Sequence, residues 1–402
     1  MGDDRTILQA GLEAALRIDR EQKPRRTLLS SVDGSVTQTL SDAIAECEAY
    51  KSVAGYMAYT GGSGPVLTAD LLATYLFSKA DSPVDGGIPA AIEWLLKVLG
   101  TREADGNFIV AVWGLSIDKE VTLADSSRLM PFANLPSSYM KSRILERAKR
   151  LYDGSVWLAH NYFDEPSVAS ATNIHSFPYI GTDGASFQQI EKLHWAARDF
   201  WLFLEAASVG HTLAIGYWFE YVDQSLDFNQ WQNSITWILP EIHPRILKCT
   251  PVNPDEIQGR LQSFLALPAK LQDRLLRSMG RFELSQCRSA IIDRVLELAL
   301  AFEIAVSGPG SGGISWKVSV RSAQLIGGAI AKRKLTRDSV SRLYGLRNKA
   351  THGSDLTTHD QTELEETLSS CLSIYRELIV SFLALGQEPE WDSLELQART
   401  LD

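Results

Sequence analysis

A chain of 402 residues, 45% of them hydrophobic and 22% charged, is long and apolar enough for two or three ordinary cores, which excludes wholesale disorder. Its formal net charge of −10 excludes a protein that coats its whole surface with nucleic acid. The four cysteines, Cys47, Cys249, Cys287 and Cys371, stand far apart with no CxxC and no Cys/His pair at zinc spacing, as expected of reduced thiols in a cytoplasmic protein.

In chain order, the start "MGDDRTILQ" is acidic where a signal peptide is basic. Helix signals dominate the first hundred residues: "TLSDAIAECEAYKSVAGYMAY" and "LTADLLATYLFSKA" repeat apolar residues every three or four positions, with the turn cluster "TGGSGP" between them. "IPAAIEWLLKVLG" opens on Pro and closes on Gly, as a helix does. The texture then changes. "NFIVAVWGL", "KEVTLADSSRLMPF", "SVWLAHNYF" and "HTLAIGYWFEYVD" are β-branched and aromatic runs that predict strands, and "FQQIEKLHWAARDFWLFLEAAS" predicts a helix among them. Residues 1–270 therefore read as a mixed α+β region of one or two subdomains. "TPVNPDEIQGR", with two prolines, is the expected cut between domains.

Beyond the cut, only helix signals remain. "IIDRVLELALAFEIAVS" predicts a helix up to "GPGSGG", and "SWKVSVRSAQLIGGAIAKRK" a second. "TRDSVSRLYGLRNKATHG" predicts a third with Thr336 as N-cap and Gly353 near its end. "TTHDQTELEETLSSCLSIYRELIVSFLALG" predicts a long fourth, stopped by Gly386. The expected fold class is thus an α+β N-terminal region followed by an all-α antiparallel bundle over residues 275–390, with residues 391–402 as a tail. No apolar stretch reaches the roughly 20 residues of a membrane span, so no membrane association is expected.

Charge is unevenly spread. Lys317, Arg321, Lys332, Arg333, Lys334, Arg337, Arg342, Arg347 and Lys349 lie within one segment that holds a single acid, Asp338. A basic island in an acidic protein is a phosphate-site candidate, or else a solvated face balanced by the acidic run "DQTELEE". Other motifs are weaker. "GPGSGGIS" has Ile314 where a phosphate-binding loop has Lys. "THD" at 358–360 lacks further metal ligands, and His352 with His359 makes only two. His160, His175, His194, His211 and His243 are scattered and read as structural.

The stretch "SRLYGLRNKATHGSD" holds Arg347, Asn348, Lys349 and His352 together. An imidazole can take a proton from a ribose 2′-hydroxyl or return one to the leaving oxygen. A guanidinium forks onto phosphate oxygens and stabilises the charge of in-line attack, and an amide holds a hydroxyl or phosphate in place. The 2′-hydroxyl is an internal nucleophile, so this chemistry calls for no metal or cofactor. Arg347 and His352 are five residues apart, about 140° around a regular helix, so a joint site requires the helix to end or kink between them, or two chains to share a cleft. The same residue types are also ordinary at a helix C-terminus.

"RLYGLRNKATHGS", preceded by "LALAFEIAVS" and "VRSAQLIGG", resembles the HEPN superfamily, and more narrowly the Apea-like HEPN domains of bacterial proteins, many linked to phage defence. The family's signature is Arg, four to six residues, then His; Arg347 to His352 matches it with four. Leu343, Tyr344 and Gly353 fit around it, as do Glu303 in the earlier helix and Arg321 in the next. The resemblance covers roughly residues 275–390 and implies a metal-independent endoribonuclease formed by a HEPN homodimer. His352 is then the acid/base group and Arg347 the phosphate-binding one, with Asn348 beside them. Lys349, Arg321, Arg342 and Lys317 are expected RNA contacts, with Glu303 and Tyr344 as supporting residues. Toxins of the family that are paired with nucleotidyltransferases carry a Tyr two residues after the His; here that residue is Ser354. Some HEPN domains keep the bundle without cutting and serve as scaffolds for a partner or nucleotide. The expected whole is a cytoplasmic, abortive-infection effector whose N-terminal region receives a phage or regulatory trigger.

Overall fold

The computed structural model describes residues 2–22, 34–59, 64–82, 86–123, 127–153, 168–181, 185–207, 212–226, 236–237, 250–306, 313–352 and 361–396. The chain opens with α1 (Gly2–Gln22), α2 (Gly34–Glu46) and α3 (Glu48–Lys51), then β1 (Met57–Ala58), α4 (Ala69–Asp81) and α5 (Gly87–Gly100). Next come β2 (Glu103–Trp113), β3 (Leu115–Ser116), β4 (Val121–Thr122), β5 (Arg128–Pro131), α6 (Tyr139–Asp153), β6 (Val168–Pro178) and β7 (Ile180–Gly181). The α+β region closes with α7 (Ala185–Ala207), β8 (Leu213–Tyr221), β9 (Thr236–Trp237) and β10 (Thr250–Pro251). From there the described chain is helical: α8 (Pro254–Leu265), α9 (Ala269–Cys287), α10 (Ile291–Val306), α11 (Ile314–Ile326), α12 (Ile330–Thr351), α13 (Gln361–Leu385) and α14 (Trp391–Leu396). An α+β N-terminal region followed by a helical C-terminal region is the architecture the composition shift called for.

Six strands form one sheet in the order β4-β5-β6-β2-β8-β9, with every adjacent pair antiparallel. The central strand β2 shows why "NFIVAVW" belongs there. Phe108, Val110 and Val112 join the large core shared with the helices, while Ile109 and Ala111 join a second core on the opposite face with Trp218 and α6's Met140 and Ile144. Strict alternation with both faces apolar is what a buried antiparallel strand requires. Gly106 sits at a register shift of β2, and a Cβ there would lie 2.2 Å from the Phe219 ring. A side chain would displace that ring.

Among the helices, α1 and α2 pack closely through Gly11, whose added Cβ would stand 2.6 Å from the Ala43 Cβ. Asp4 is buried and spends its carboxylate on another element: Oδ1 accepts from Glu48 N (2.9 Å) and Oδ2 from Ala49 N (3.2 Å). It thereby caps α3, whose own N-cap residue, Cys47, makes no side-chain capping bond. Burial, with Asp4 adding to it, pushes the Cys47 thiol up to about 11.

Several sequence expectations change. The second and third bundle helices divide earlier than expected, because Gly327 and Gly328 take φ values of 72° and 87° and end α11. Thr336 is therefore not an N-cap; it is buried inside α12, which starts at Ile330. Residues 391–396 are not a tail. They form α14, seated on α11 through Trp391 and Glu395. The strand β6 went unrecognised in the sequence, while the expected strand "SVWLAHNYF" lies outside the described residues, as do most of "TGGSGP" and "GPGSGG", Gly353, Ser354 and the 358–360 "THD" with His359. His175, read as structural, is exposed and faces the Asp105 carboxylate at 3.4 Å. One helix among the described residues, Gln361–Leu385, is long and apolar enough to cross a membrane by length and composition, although no such stretch was expected; half of its most apolar window is buried inside the protein.

Candidate functional site

The inward stripe of α12 runs Thr336, Ser339, Val340, Leu343 and Tyr344, the three- and four-residue spacing of a helix face in a core. Tyr344 anchors it: its hydroxyl donates to the Ala299 carbonyl at 3.1 Å and lies 3.4 Å from Glu303 Oε2, both on α10. Burial first, then the Glu303 carboxylate, drives the Tyr344 hydroxyl far above its ordinary range, and Arg347 pulls the other way. Glu303 and Tyr344 thus form the floor on which the end of α12 rests.

Arg347 continues the same stripe, three residues past Tyr344, where the helix leaves the core. It is half-buried, and its Nη1 donates to Asn348 Oδ1 at 3.3 Å. Thr351 turns its hydroxyl back to the carbonyls of Arg347 and Asn348, each at 3.0 Å. His352 N donates to the Asn348 carbonyl at 3.1 Å, and His352 itself, at φ −91° and ψ 12°, ends the helix. Asn348, Lys349, Thr351 and His352 are exposed. Helical structure runs on from Arg347 through Thr351 and ends only at His352, a spacing that sets the two side chains about 140° apart around the helix. The structure brings Arg347 to Asn348, the residue that shares a helix face with His352, and among the described residues it shows no bond between Arg347 and His352.

The basic island divides into distinct populations. Arg321 is not a surface cation: it is 4% exposed, its Nε pairs with Glu395 Oε1 at 2.6 Å, its Nη1 donates to the Val306 carbonyl at 2.9 Å, and its guanidinium lies 5.0 Å from the Trp391 ring centre. Burial behind α14 keeps this guanidinium from the RNA phosphate contact expected of it. Lys332 pairs with Glu377 at 2.7 Å and Arg337 with Asp338 at 2.6 Å. Arg342 and Lys349, seven residues apart on one face of α12, line a groove of about 470 Å³ against the start of α13, together with Asp338 and Glu363. Part of the acidic run thus faces the basic island across this groove. Lys317 is half-buried in the first turn of α11.

Sequence reading passed over a second charged cluster, Glu205, Glu283 and Arg376, where α7 meets α9 and α13. Its one signal was a lone acid inside the apolar run "FWLFLEAA". Comparisons of the chain with protein-family models, with curated proteins and with solved structures found no match.

Proposed function

We propose that the C-terminal bundle is a HEPN-type, metal-independent endoribonuclease working as a homodimer in the cytoplasm, as the effector part of an anti-phage response. The observation that carries the reading is the accessible cluster at the end of α12: Arg347 held against Asn348, with His352 one turn on and exposed. In this reading His352 removes the proton of a ribose 2′-hydroxyl. The 2′-oxygen bonds to phosphorus as the bond to the 5′-oxygen breaks, and imidazolium returns the proton to that leaving oxygen. The products are a 2′,3′-cyclic phosphate and a 5′-hydroxyl. Arg347 neutralises the phosphate oxygens during attack, and Asn348 fixes the Arg347 side chain. The angle between Arg347 and His352 on one helix is met by a two-fold axis, with each chain's Arg347 serving the partner's imidazole. Lys349 and Arg342 supply flanking phosphate contacts.

A second reading is a silent bundle that binds a protein partner or nucleotide. It is favoured by the helical turn from Arg347 through Thr351, which keeps Arg347 and His352 on different sides of α12. Purified protein with a mixed RNA pool in EDTA separates the two. Cleavage leaving cyclic-phosphate ends, abolished by His352→Ala, is the expected outcome; equal cleavage by wild type and variant, or a monomer that cuts, would sink the nuclease reading.

A further inference from the structure

The last eight residues of α7, Phe200 to Ala207, are all buried, so this end of the helix is enclosed on every side. Seven of them are apolar or small; the eighth is Glu205, 1% exposed. The Arg260 guanidinium of α8 donates to the Ala207 carbonyl and pairs with Glu256, so the C-terminus of α7 is tied to the helical region. Phe203 meets Phe264 of α8 with ring centres 5.3 Å apart, and on the α9 side Gly280 lies against Leu202 and Arg198. This seam joins the α+β region to the bundle.

One carboxylate of the seam is incompletely hydrogen-bonded. Glu205 Oε1 accepts from Gln286 Nε2, while Oε2 is buried with no hydrogen-bond partner among the described residues. Arg376 of α13 donates from Nη2 to Gln286 Oε1 (3.0 Å) and from Nε to the Glu205 main-chain carbonyl (3.4 Å), with its guanidinium 5.0 Å from the Phe282 ring centre. Glu283 of α9 is the second carboxylate of the seam. The other titratable or charged groups facing the pair are Arg198 on α7, Cys287 on α9 and Tyr375 on α13. No group of three His, Cys, Asp or Glu side chains among the described residues is arranged for a metal ion.

We propose that this seam is a proton-controlled clamp between the α+β region and the bundle, closed while the Glu205–Glu283 pair keeps a proton and loosened when both carboxylates ionise. Two like charges in one enclosed seam repel, Glu205 Oε2 has no hydrogen-bond partner among the described residues, and Arg376 donates to an amide and to a main-chain oxygen. Burial and Glu283 hold Glu205 well above the carboxylate range, and burial lifts Glu283 to about 7, which places the switch near neutrality. The clamp is independent of whether the bundle cuts RNA.

Hydrogen exchange of the full chain from pH 5.5 to 8.5, corrected for the chemical exchange rate, tests it. Protection of residues 198–207 and 276–287 should fall at least about tenfold, the equivalent of one pKa unit, while α1 and α2 change less. Glu205→Gln and Glu283→Gln should each flatten that fall. Glu283→Gln carries the test alone if Glu205→Gln does not fold, since Glu283 is less enclosed. Asp199→Asn, which alters another lifted carboxylate on α7, should leave the fall in place. A flat wild-type profile, a fall equal to that of α1 and α2, Gln variants with an unchanged slope, or a slope abolished by Asp199→Asn would each overturn the proposal.

Discussion

Single residues divide the basic island more sharply than its summed charge does. Arg321 and Arg342 are the same residue type in the same segment, yet the first is a core strut and the second a surface cation. Arg321→Ala leaves Glu395 unpaired and largely buried and frees the Val306 carbonyl. Breaking such a pair from one side costs on the order of 3 kcal/mol. Denaturant unfolding should register that loss, and a change below about 0.5 kcal/mol would contradict the strut. Arg342→Ala should leave stability within about 0.5 kcal/mol. In the nuclease reading it instead weakens RNA binding and lowers the salt slope by about one phosphate contact. Sequence pattern marked both arginines as alike because net charge carries no information on burial. What distinguishes them is Glu395, 74 residues away in a segment that looked like a tail.

At the scale of elements, contacts between helices turn on residues that carry no chemistry. Gly11 of α1 and Ala43 of α2 meet where two backbones approach most closely. Gly11→Ala gains up to about 1 kcal/mol of helix propensity, but the new methyl overlaps another Cβ, which no rotamer can move, and overpacking of that kind costs about 1–3 kcal/mol. The net expectation is destabilisation by about 1 kcal/mol. Ala43→Gly in the Gly11→Ala background should recover part of it, and a double-mutant cycle reads the coupling. Additive effects would mean that the helices simply separate. Periodicity made the long helices legible: α4, α5, α10 and α13 lie close to where the apolar spacing put them. The α11–α12 break was missed because "LIGGAIAKRK" continues the apolar spacing across two glycines, and only their left-handed φ values reveal the turn. The strand β6, "VASATNIHSFP", was missed because its small and polar residues carry little β signal; pairing with β2 and β5 holds it in the sheet. The end of α12 was legible as a cluster of Arg347, Asn348 and His352. That its helix runs on through Thr351 before ending at His352 was not, since spacing alone is compatible with an earlier end or a kink.

At the scale of the whole molecule, one apolar core runs from Leu8 of α1 through Phe108 of the sheet and Phe203 of α7 to Phe382 and Trp391 at the far end. Stability should therefore respond as a unit to the carboxylates enclosed within it. Burial raises Glu205, Glu283, Glu220 and Asp199 above their ordinary values, Glu283 to about 7. A carboxyl raised by folding binds more protons in the native state than in the unfolded chain, so stability falls as pH rises between the unfolded value, about 4.3 for Glu, and the folded one. Asp223 moves the other way, held low by Lys97 and Ser225 against its own desolvation, and its contribution is lost only as pH drops below the ordinary Asp value. The two windows do not overlap, so nothing from Asp223 offsets the decline between about pH 4.5 and pH 7. The full chain should thus be more resistant to urea at pH 5.5 than at pH 8. Glu283→Gln should raise the midpoint at pH 8 while leaving it nearly unchanged at pH 5, where the native carboxyl already carries its proton. A midpoint that climbs from pH 5.5 to pH 8, or a Glu283→Gln gain equal at both pH values, would mean that water reaches this seam and that its carboxylates are solvated as on an open surface.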